Sequence, residues 1–139
     1  MLAPGSVIEP GNWGRLLRLY TPQAQANAWL LIRELVYEDI RRTHYGAKPS
    51  RLVSTFLCLT EADIQEFRTQ YNRTFDLMYE VEIVDQNAPL HTGDWTLPNM
   101  VNTDTVQVFE SRAHLYWQGN NVVKQEVVTP SAVKVLRRL

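Results

Sequence analysis

Apolar residues recur at helical spacing in three segments of the chain. The first segment begins at the capping pair Thr21-Pro22 and ends near Gly46. Its apolar stripe consists of Trp29, Ile32, Val36 and Ile40. A second helix is predicted from Thr60 to near Asn72, with Asp63 in the acidic position of a capping box, and a third over about 104–118. The spacing and the flanking cap residues predict three amphipathic helices.

Segments with β-branched, aromatic or alternating residues separate and follow these helices. Strands are predicted at Ser6–Ile8, Leu52–Leu59, Leu77–Val84, Val122–Val128 and Ala132–Leu136. Residues 85–102 carry turn residues and predict a long loop. This mixed order predicts a single α+β domain over residues 1–139, with mixed, largely antiparallel sheets and about three helices.

Composition narrows the class of protein. The 139 residues are 45% hydrophobic and 21% charged, which is typical of one folded domain. The net charge of -1 gives no broad attraction to nucleic acid. No apolar stretch is long enough to span a membrane, and the opening residues lack the pattern of a signal peptide, so a cytoplasmic protein is expected.

Common catalytic and metal-binding motifs are absent from the sequence. The single cysteine, Cys58, permits no intramolecular disulfide and lies in an apolar run that favours an unreactive thiol. The three histidines stand apart, so no metal site is predicted. Neither a phosphate-binding glycine loop nor a GxSxG nucleophile motif occurs.

Two local patterns carry candidate chemistry. The segment His91–Trp95 combines an imidazole, a carboxylate and an aromatic ring, which suits binding of a polar ligand. The alternative interpretation is an ordered loop in which Asp94 caps a turn and Trp95 covers the core. Glu126 opens a β-branched run and, by itself, is typical of a solvent-facing residue on a strand.

Several fragments resemble ADP-ribosyltransferase-like proteins, in the same order along the chain. Ser50–Leu57 is similar to the central strand of that family, which often carries Ser-Thr-Ser, although Phe56 replaces the final serine. Leu59–Phe67 looks like the strand and short helix that follow, and Leu77–Val84 resembles the strand before a proline-containing loop. In the small rifampicin-modifying members this region holds an acidic residue, and Asp94 lies near its place.

The end of the chain extends the resemblance. Lys124–Pro130 is similar to a Glu-x-Glu motif followed by an aliphatic pair and a proline. Glu126 occupies the place of the second, catalytic glutamate, whereas Lys124 replaces the first, which argues against transfer to arginine. The resemblance covers most of residues 50–139 and part of the opening segment.

The family's first strand holds NAD through an Arg or His, and the opening segment Leu2–Gly11 looks like the part that follows this strand. Three explanations stay open: that residue is lost, the chain is trimmed, or Arg15 or Arg18 takes its place. The first explanation would make the domain a catalytically inactive member.

The resemblance implies NAD as co-substrate, bound in a cleft across the central strands. It implies that Ser54 and Thr55 position the cofactor and that Arg51 binds its pyrophosphate. An aromatic side chain would stack on nicotinamide, with Tyr79, Trp95 and Tyr116 as candidates. The alternatives are a surface position for Arg51 and ordinary core packing for Tyr79 and Tyr116.

Glu126 would then stabilise the oxocarbenium-like ribose, and Asp94 is a second catalytic candidate. The implied function is an ADP-ribosyltransferase or NAD hydrolase, of the kind found among bacterial toxins and effectors. The alternatives are an inactive member that binds a small ligand or a protein partner, and an unrelated α+β interaction domain.

Overall fold

Four α-helices and two three-stranded antiparallel sheets form the fold in the computed structural model, which describes residues 1–23 and 25–139. The helices are α1 Asn12–Leu17, α2 Gln25–His44, α3 Glu61–Gln70 and α4 Val106–Gln118, and a 3-10 turn spans Arg51–Val53. The strands are β1 Val7–Ile8, β2 Thr55–Leu57, β3 Tyr79–Ile83, β4 His91–Asp94, β5 Gln125–Thr129 and β6 Val133–Arg138. The predicted α+β class with antiparallel pairing is confirmed.

The two sheets have the strand orders β1-β6-β3 and β2-β5-β4, and their central strands follow one another in the chain. The connection between β5 and β6 binds both sheets. The Ser131 carbonyl accepts a hydrogen bond from Thr55 Oγ1 at 3.2 Å, and the Ala132 carbonyl accepts one from Val84 N at 3.0 Å. Because this connection is short and bonded on both sides, it fixes the junction of the sheets.

The main core lies between α2 and α4. It contains the buried residues Tyr37, Ile40, Ala113, Tyr116 and Trp117. Trp117 Nε1 donates to the Tyr37 carbonyl at 2.9 Å, so the indole N–H is satisfied inside the core. This packing holds α2 and α4 together behind the sheet that contains β4 and β5.

Several predicted boundaries are confirmed by cap geometry. Thr60 Oγ1 accepts from Asp63 N at 3.1 Å at the start of α3, as the capping box predicts. Gly119 ends α4 in the left-handed conformation, with φ of 64°. Local side-chain and backbone chemistry therefore fixes these helix ends.

The prediction of about three helices agrees with the three long helices and omitted the short helix α1. This helix has six residues, too few for a periodic apolar signal. Gly14 allows it to lie against the 3-10 turn, because a Cβ at this position would overlap the Leu52 carbonyl oxygen. Gly14 and Leu52 are distant in the chain, so no local sequence pattern predicts this close contact.

The strand predicted over Leu52–Leu59 was too long at both ends. Ser50 Oγ accepts from Leu52 N at 3.2 Å, and Ser54 Oγ donates to the Ser50 carbonyl at 2.7 Å. These side-chain bonds stabilise the 3-10 turn at Arg51–Val53 instead of a strand.

The loop predicted over residues 85–102 contains β4, which pairs with β5. This strand is short and includes Gly93, whose missing side chain leaves room for the Tyr116 ring. Four residues with an internal glycine give no alternating signal, so the strand depends on its partner for definition.

The buried face of α2 also differs from the predicted stripe. Ile40 is buried, but Trp29 is 48% exposed, and Glu34, Tyr37 and Glu38 are buried instead. Both glutamates bind arginine side chains, which compensates for the burial of their charges. A purely apolar pattern could not identify this face.

Candidate functional site

Arg51 is the centre of a buried ionic group. The 3-10 turn carries it inward, where its Nε donates to Glu34 Oε2 at 3.0 Å and its Nη2 donates to Glu34 Oε1 at 3.1 Å. Its Nη1 donates to Glu126 Oε1 at 2.7 Å. One guanidinium therefore links α2 to β5 through two carboxylates. The alternative prediction, a surface position for Arg51, is wrong because the residue is only 6% exposed.

Aromatic rings enclose the guanidinium of Arg51. Its Cζ lies 4.8 Å from the centre of the Tyr116 ring, 4.9 Å from that of Phe56 and 5.7 Å from that of Tyr37. Ring faces attract a desolvated cation and exclude water from it. The ionic contacts of Arg51 are thus made in a largely apolar environment, where they are stronger than at the surface.

Glu126 lies on β5 with its side chain turned inward, contrary to the solvent-facing position expected from the strand alone. Its Oε1 accepts from Arg51 Nη1 and from the Tyr116 hydroxyl, the latter at 2.8 Å. Among the described residues, none donates a hydrogen bond to its Oε2. Glu126 also lines a cavity, so its carboxylate is placed to meet a ligand while Oε1 is held by the protein.

Neighbouring charges and burial shift the pKa values of the residues in this group in opposite directions. Burial would raise the pKa of Glu34, but the charges of Arg51 and Arg33 outweigh it and hold that pKa below its ordinary value. Burial would lower the pKa of Arg51, yet Glu34 and Glu126 raise it well above its ordinary value. Burial raises the pKa of Tyr116, so its phenol stays protonated and donates to Glu126.

A cavity of about 420 Å³ opens beside Glu126 and Arg51. This volume lies within the range of small-molecule sites. Its lining residues come from β1, α1, α2, α3, the 3-10 turn, β2, β5 and the segment after β4. The cavity therefore lies where both sheets and the first three helices converge.

One wall of the cavity is a cluster of aromatic rings, Phe67, Tyr71 and Trp95. Their ring centres are 4.7 Å apart for Phe67 and Tyr71 and 5.4 Å apart for Phe67 and Trp95. The Tyr71 hydroxyl donates to the Trp95 carbonyl at 3.2 Å and also bonds the Asn99 side chain. The Tyr71 hydroxyl and the Trp95 carbonyl are thus bound within the protein, and the apolar ring surface of this wall is suited to a planar group.

The remaining wall includes Trp13 of α1 and Arg33 of α2. Arg33 Nη1 donates to the Pro98 carbonyl at 2.8 Å, and its Nη2 donates to Glu34 Oε1 at 2.8 Å. Arg33 therefore connects the cavity wall to the buried ionic group. Its guanidinium lies 6.0 Å from the centre of the Trp13 ring.

Five predicted site residues line the cavity, namely Arg51, Ser54, Thr55, Trp95 and Glu126. Positions 51 and 126 are distant in the chain, so the fold brings the predicted cofactor-binding and catalytic segments together. The pyrophosphate contact implied for Arg51 would have to use the second N–H groups of Nη1 and Nη2, because Nε and one N–H of each Nη already bind Glu34 or Glu126.

Three predicted site residues are not among the described residues that line the cavity: Tyr79, Asp94 and Tyr116. The Asp94 carboxylate accepts from Thr96 N at 2.8 Å, which confirms its interpretation as a turn cap. The hydroxyl of Tyr79 accepts from Leu2 N at 2.9 Å in the other sheet. Tyr116 is fully buried, so its ring packs in the core and supports Glu126 through its hydroxyl.

Two other candidates from the sequence, His91 and Cys58, lie in surroundings that favour a structural role. His91 is buried, its Nε2 donates to the Tyr116 carbonyl at 2.8 Å, and burial lowers its pKa to about 4. Cys58 is half-buried, and burial raises the pKa of its thiol to about 11, which agrees with an unreactive thiol. Within residues 1–23 and 25–139 no group of three or more potential metal ligands occurs.

The sequence analysis missed Glu34 and the aromatic wall at Phe67 and Tyr71. Phe67 and Tyr71 were recognised only as a buried helix face. Glu34 stands next to Arg33, with Tyr37 and Glu38 one turn later, so two acidic residues share a face with an aromatic residue. That combination was the available signal of a buried ionic group.

Comparison with known proteins identifies the family. A search of curated proteins found no match to this chain. In the part of the chain that the structure describes, no helix has the length and apolar character needed to cross a membrane. The family model described as "Protein of unknown function (DUF2441)" matches residues 15–139, which include Glu34, Arg51 and Glu126. The chain therefore belongs to the DUF2441 family.

Proposed function

We propose that this domain binds NAD in the cavity and cleaves its nicotinamide–ribose bond, as an ADP-ribosyltransferase-like enzyme. The observation that carries the proposal is the position of Glu126. Its carboxylate is fixed by Arg51 and Tyr116 in the wall of an aromatic-lined cavity. An oriented carboxylate beside a stacking surface suits a reaction in which positive charge develops on a sugar bound to an aromatic leaving group.

The proposed roles follow from the two sides of the cavity. The nicotinamide ring packs against the wall formed by Phe67, Tyr71 and Trp95, with the ribose next to Glu126. Ser54 and Thr55, at the start of β2, contact the same bound nucleotide. Arg51 acts within the protein by holding Glu126, since each of its three nitrogens donates to Glu34 or Glu126.

The reaction breaks the bond between ribose C1′ and the nicotinamide nitrogen. The bonding electron pair leaves with nicotinamide, and positive charge spreads over C1′ and the ring oxygen of the ribose. The Glu126 carboxylate stabilises this charge through Oε2. An acceptor nucleophile then bonds to C1′ and loses a proton, and with water as acceptor the product is ADP-ribose.

Calorimetry with NAD and an assay for released nicotinamide test the proposal on the wild type, Glu126→Gln and Glu82→Gln. Glu82 is the matched control, because it is a strand glutamate paired with Lys134 in the other sheet. Glu126→Gln is expected to bind NAD and to release nicotinamide at least about 100-fold more slowly, while Glu82→Gln behaves as the wild type. Equal release by Glu126→Gln and the wild type would contradict the assigned role.

A second candidate function is NAD binding without turnover. It is favoured by the contacts of Glu126 Oε1, which already accepts from two donors, one of them a cation. Binding of NAD by folded wild type without nicotinamide release would support this function over the enzyme. Absence of NAD binding by the folded wild type would contradict both.

A further inference from the structure

Glu34 is a buried charge that the proposed reaction does not use. Its side chain is 0% exposed, and it is not among the described residues that line the cavity. A buried ion pair is often no more stable than well-packed apolar residues of similar size. Stability alone therefore gives no reason for a carboxylate at this position of α2.

The geometry of Arg51 suggests what Glu34 does. Glu34 binds the edge of the guanidinium formed by Nε and Nη2, at 3.0 and 3.1 Å. This leaves Nη1 as the nitrogen that donates to Glu126, and it reaches Oε1 alone. Arg33 binds Glu34 Oε1 at 2.8 Å and so helps to fix the carboxylate in this orientation.

An unrestrained arginine would bind Glu126 differently. Arginine prefers a two-pronged contact in which two N–H groups meet both oxygens of one carboxylate. With that geometry Arg51 would bind Oε2 as well as Oε1, and Glu126 would have no oxygen without a protein hydrogen bond to offer to the cavity. Occupation of the Nε–Nη2 edge by Glu34 excludes one of the two guanidinium edges that could form this contact, and it fixes the orientation in which Nη1 of the other edge reaches Oε1 alone.

We propose that Glu34 is a positioning residue that holds Arg51 in a single contact with Glu126 and thereby keeps Glu126 Oε2 available to the ligand. For its effect on turnover, the inference rests on the function proposed above. Its structural part does not depend on that function, because the contacts of Arg51 can be measured without ligand.

Glu38 provides a matched control on the same helix. It is also a buried glutamate and binds Arg41 Nη2 at 2.8 Å and Arg42 Nε at 3.1 Å. Ser50 Oγ donates to its Oε2 at 2.8 Å. Glu38→Gln therefore removes a buried ionic contact of α2 without touching Arg51.

Crystal structures of the ligand-free wild type, Glu34→Gln and Glu38→Gln test the structural part. In Glu34→Gln we expect Arg51 to bind both oxygens of Glu126, whereas Glu38→Gln keeps the single contact. A single Arg51–Glu126 contact in Glu34→Gln would overturn the inference.

The kinetic part separates positioning from folding. Glu34→Gln is expected to lower kcat for nicotinamide release about 10- to 100-fold with KM within about twofold, while Glu38→Gln changes neither. An unchanged kcat in Glu34→Gln, with release by the wild type intact, would overturn the inference but not the proposed function. Absence of release by the wild type would overturn the proposed function, and the crystal structures would still decide the role of Glu34.

If Glu34→Gln does not fold, a measurement on the wild type still tests the inference. Nitrogen-15 spectra of the Arg51 guanidinium, assigned with Arg51→Lys, report rotation of its two amino groups. Two carboxylates on separate edges should block rotation, so separate Nη1 and Nη2 signals are expected. A single averaged Nη signal would overturn the inference.

Discussion

The two sheets use pairs of opposite charge in different environments. In the sheet of β1, β6 and β3, Glu80 pairs with Arg137 and Glu82 with Lys134, and all four side chains are exposed by more than a third. In the sheet of β2, β5 and β4, Glu126 binds Arg51, and both side chains are nearly buried. Exposed pairs contribute little to stability, whereas removal of one partner from a buried pair leaves an uncompensated charge.

The difference also separates stability from function. The exposed pairs lie across neighbouring strands and leave the rest of the surface unchanged. The buried group faces a cavity and links α2, the 3-10 turn and β5. We therefore expect substitutions around the sheet of β2, β5 and β4 to change the free energy of unfolding strongly, and those in the sheet of β1, β6 and β3 to change it little.

The largest effect is expected for Arg51→Met. This change leaves Glu34 and Glu126 buried without their shared cation, so the free energy of unfolding should fall by about 3–5 kcal/mol. Urea denaturation measures it. Arg137→Met, in the exposed pair with Glu80, is the control and should change the free energy of unfolding little. A similar small loss for both variants would contradict the contrast between the sheets.

The next largest effect is the pH dependence of stability that His91 on β4 causes. Its pKa falls from 6.5 to about 4 on folding, so the unfolded chain binds the extra proton between these values. Stability from the neutral imidazole is fully present above pH 6.5 and is lost as the pH falls towards 4, by about 3 kcal/mol in total.

Denaturation of His91→Gln between pH 7 and pH 4 checks this expectation. The variant should lose the decline that begins near pH 6.5. A decline should persist below about 4.5, because the pKa of Glu34 is lowered from that value and its stabilising charge is lost as the pH falls through its folded-state pKa. An unchanged slope above pH 5 would contradict the role of His91.

A smaller effect is expected for Gly93→Ala. Gly93 lies opposite Glu126 in the β4–β5 pair, and a Cβ there would overlap the Tyr116 ring. The free energy of unfolding should fall by about 1–3 kcal/mol, and the Tyr116–Glu126 contact should shift. Gly46→Ala is the control, since its nearest contact would be 3.9 Å away. Wild-type stability in Gly93→Ala would contradict the close packing.

The smallest effect is expected for the Glu82–Lys134 pair. A double-mutant cycle with Glu82→Gln and Lys134→Gln should give a coupling energy below about 1 kcal/mol that weakens further in 1 M salt. The same cycle on Glu34 and Arg51 should give a larger coupling that salt changes little. Comparable values for the two cycles would remove the distinction between exposed and buried pairs.

Predictions based on local chemistry were the successful ones. The capping box at Thr60 and Asp63 and the stop at Gly119 depend on neighbouring residues, and the structure confirms both. The α+β class follows from the order of elements, which is visible along the chain. Five of the predicted site residues line the cavity, and the resemblance that suggested them stays a prediction.

The errors share a cause, which is dependence on distant partners. Short β4 exists because β5 bonds to it, and α1 lies where Gly14 meets the Leu52 carbonyl. Tyr116 was a candidate for stacking on a ligand, with core packing as the alternative, and the packing of α4 against α2 buries it. None of these contacts has a signal within a window of neighbouring residues.

The sequence by itself determined the fold class, most element types and the helix caps, because propensity, periodicity and capping act over a few residues. Tertiary structure alone decided that Glu34, Arg51 and Glu126 form one buried group and that the Glu126 carboxylate faces a cavity. The physical reason is that a charge can be buried only where its partners converge, and these partners come from α2, the 3-10 turn and β5.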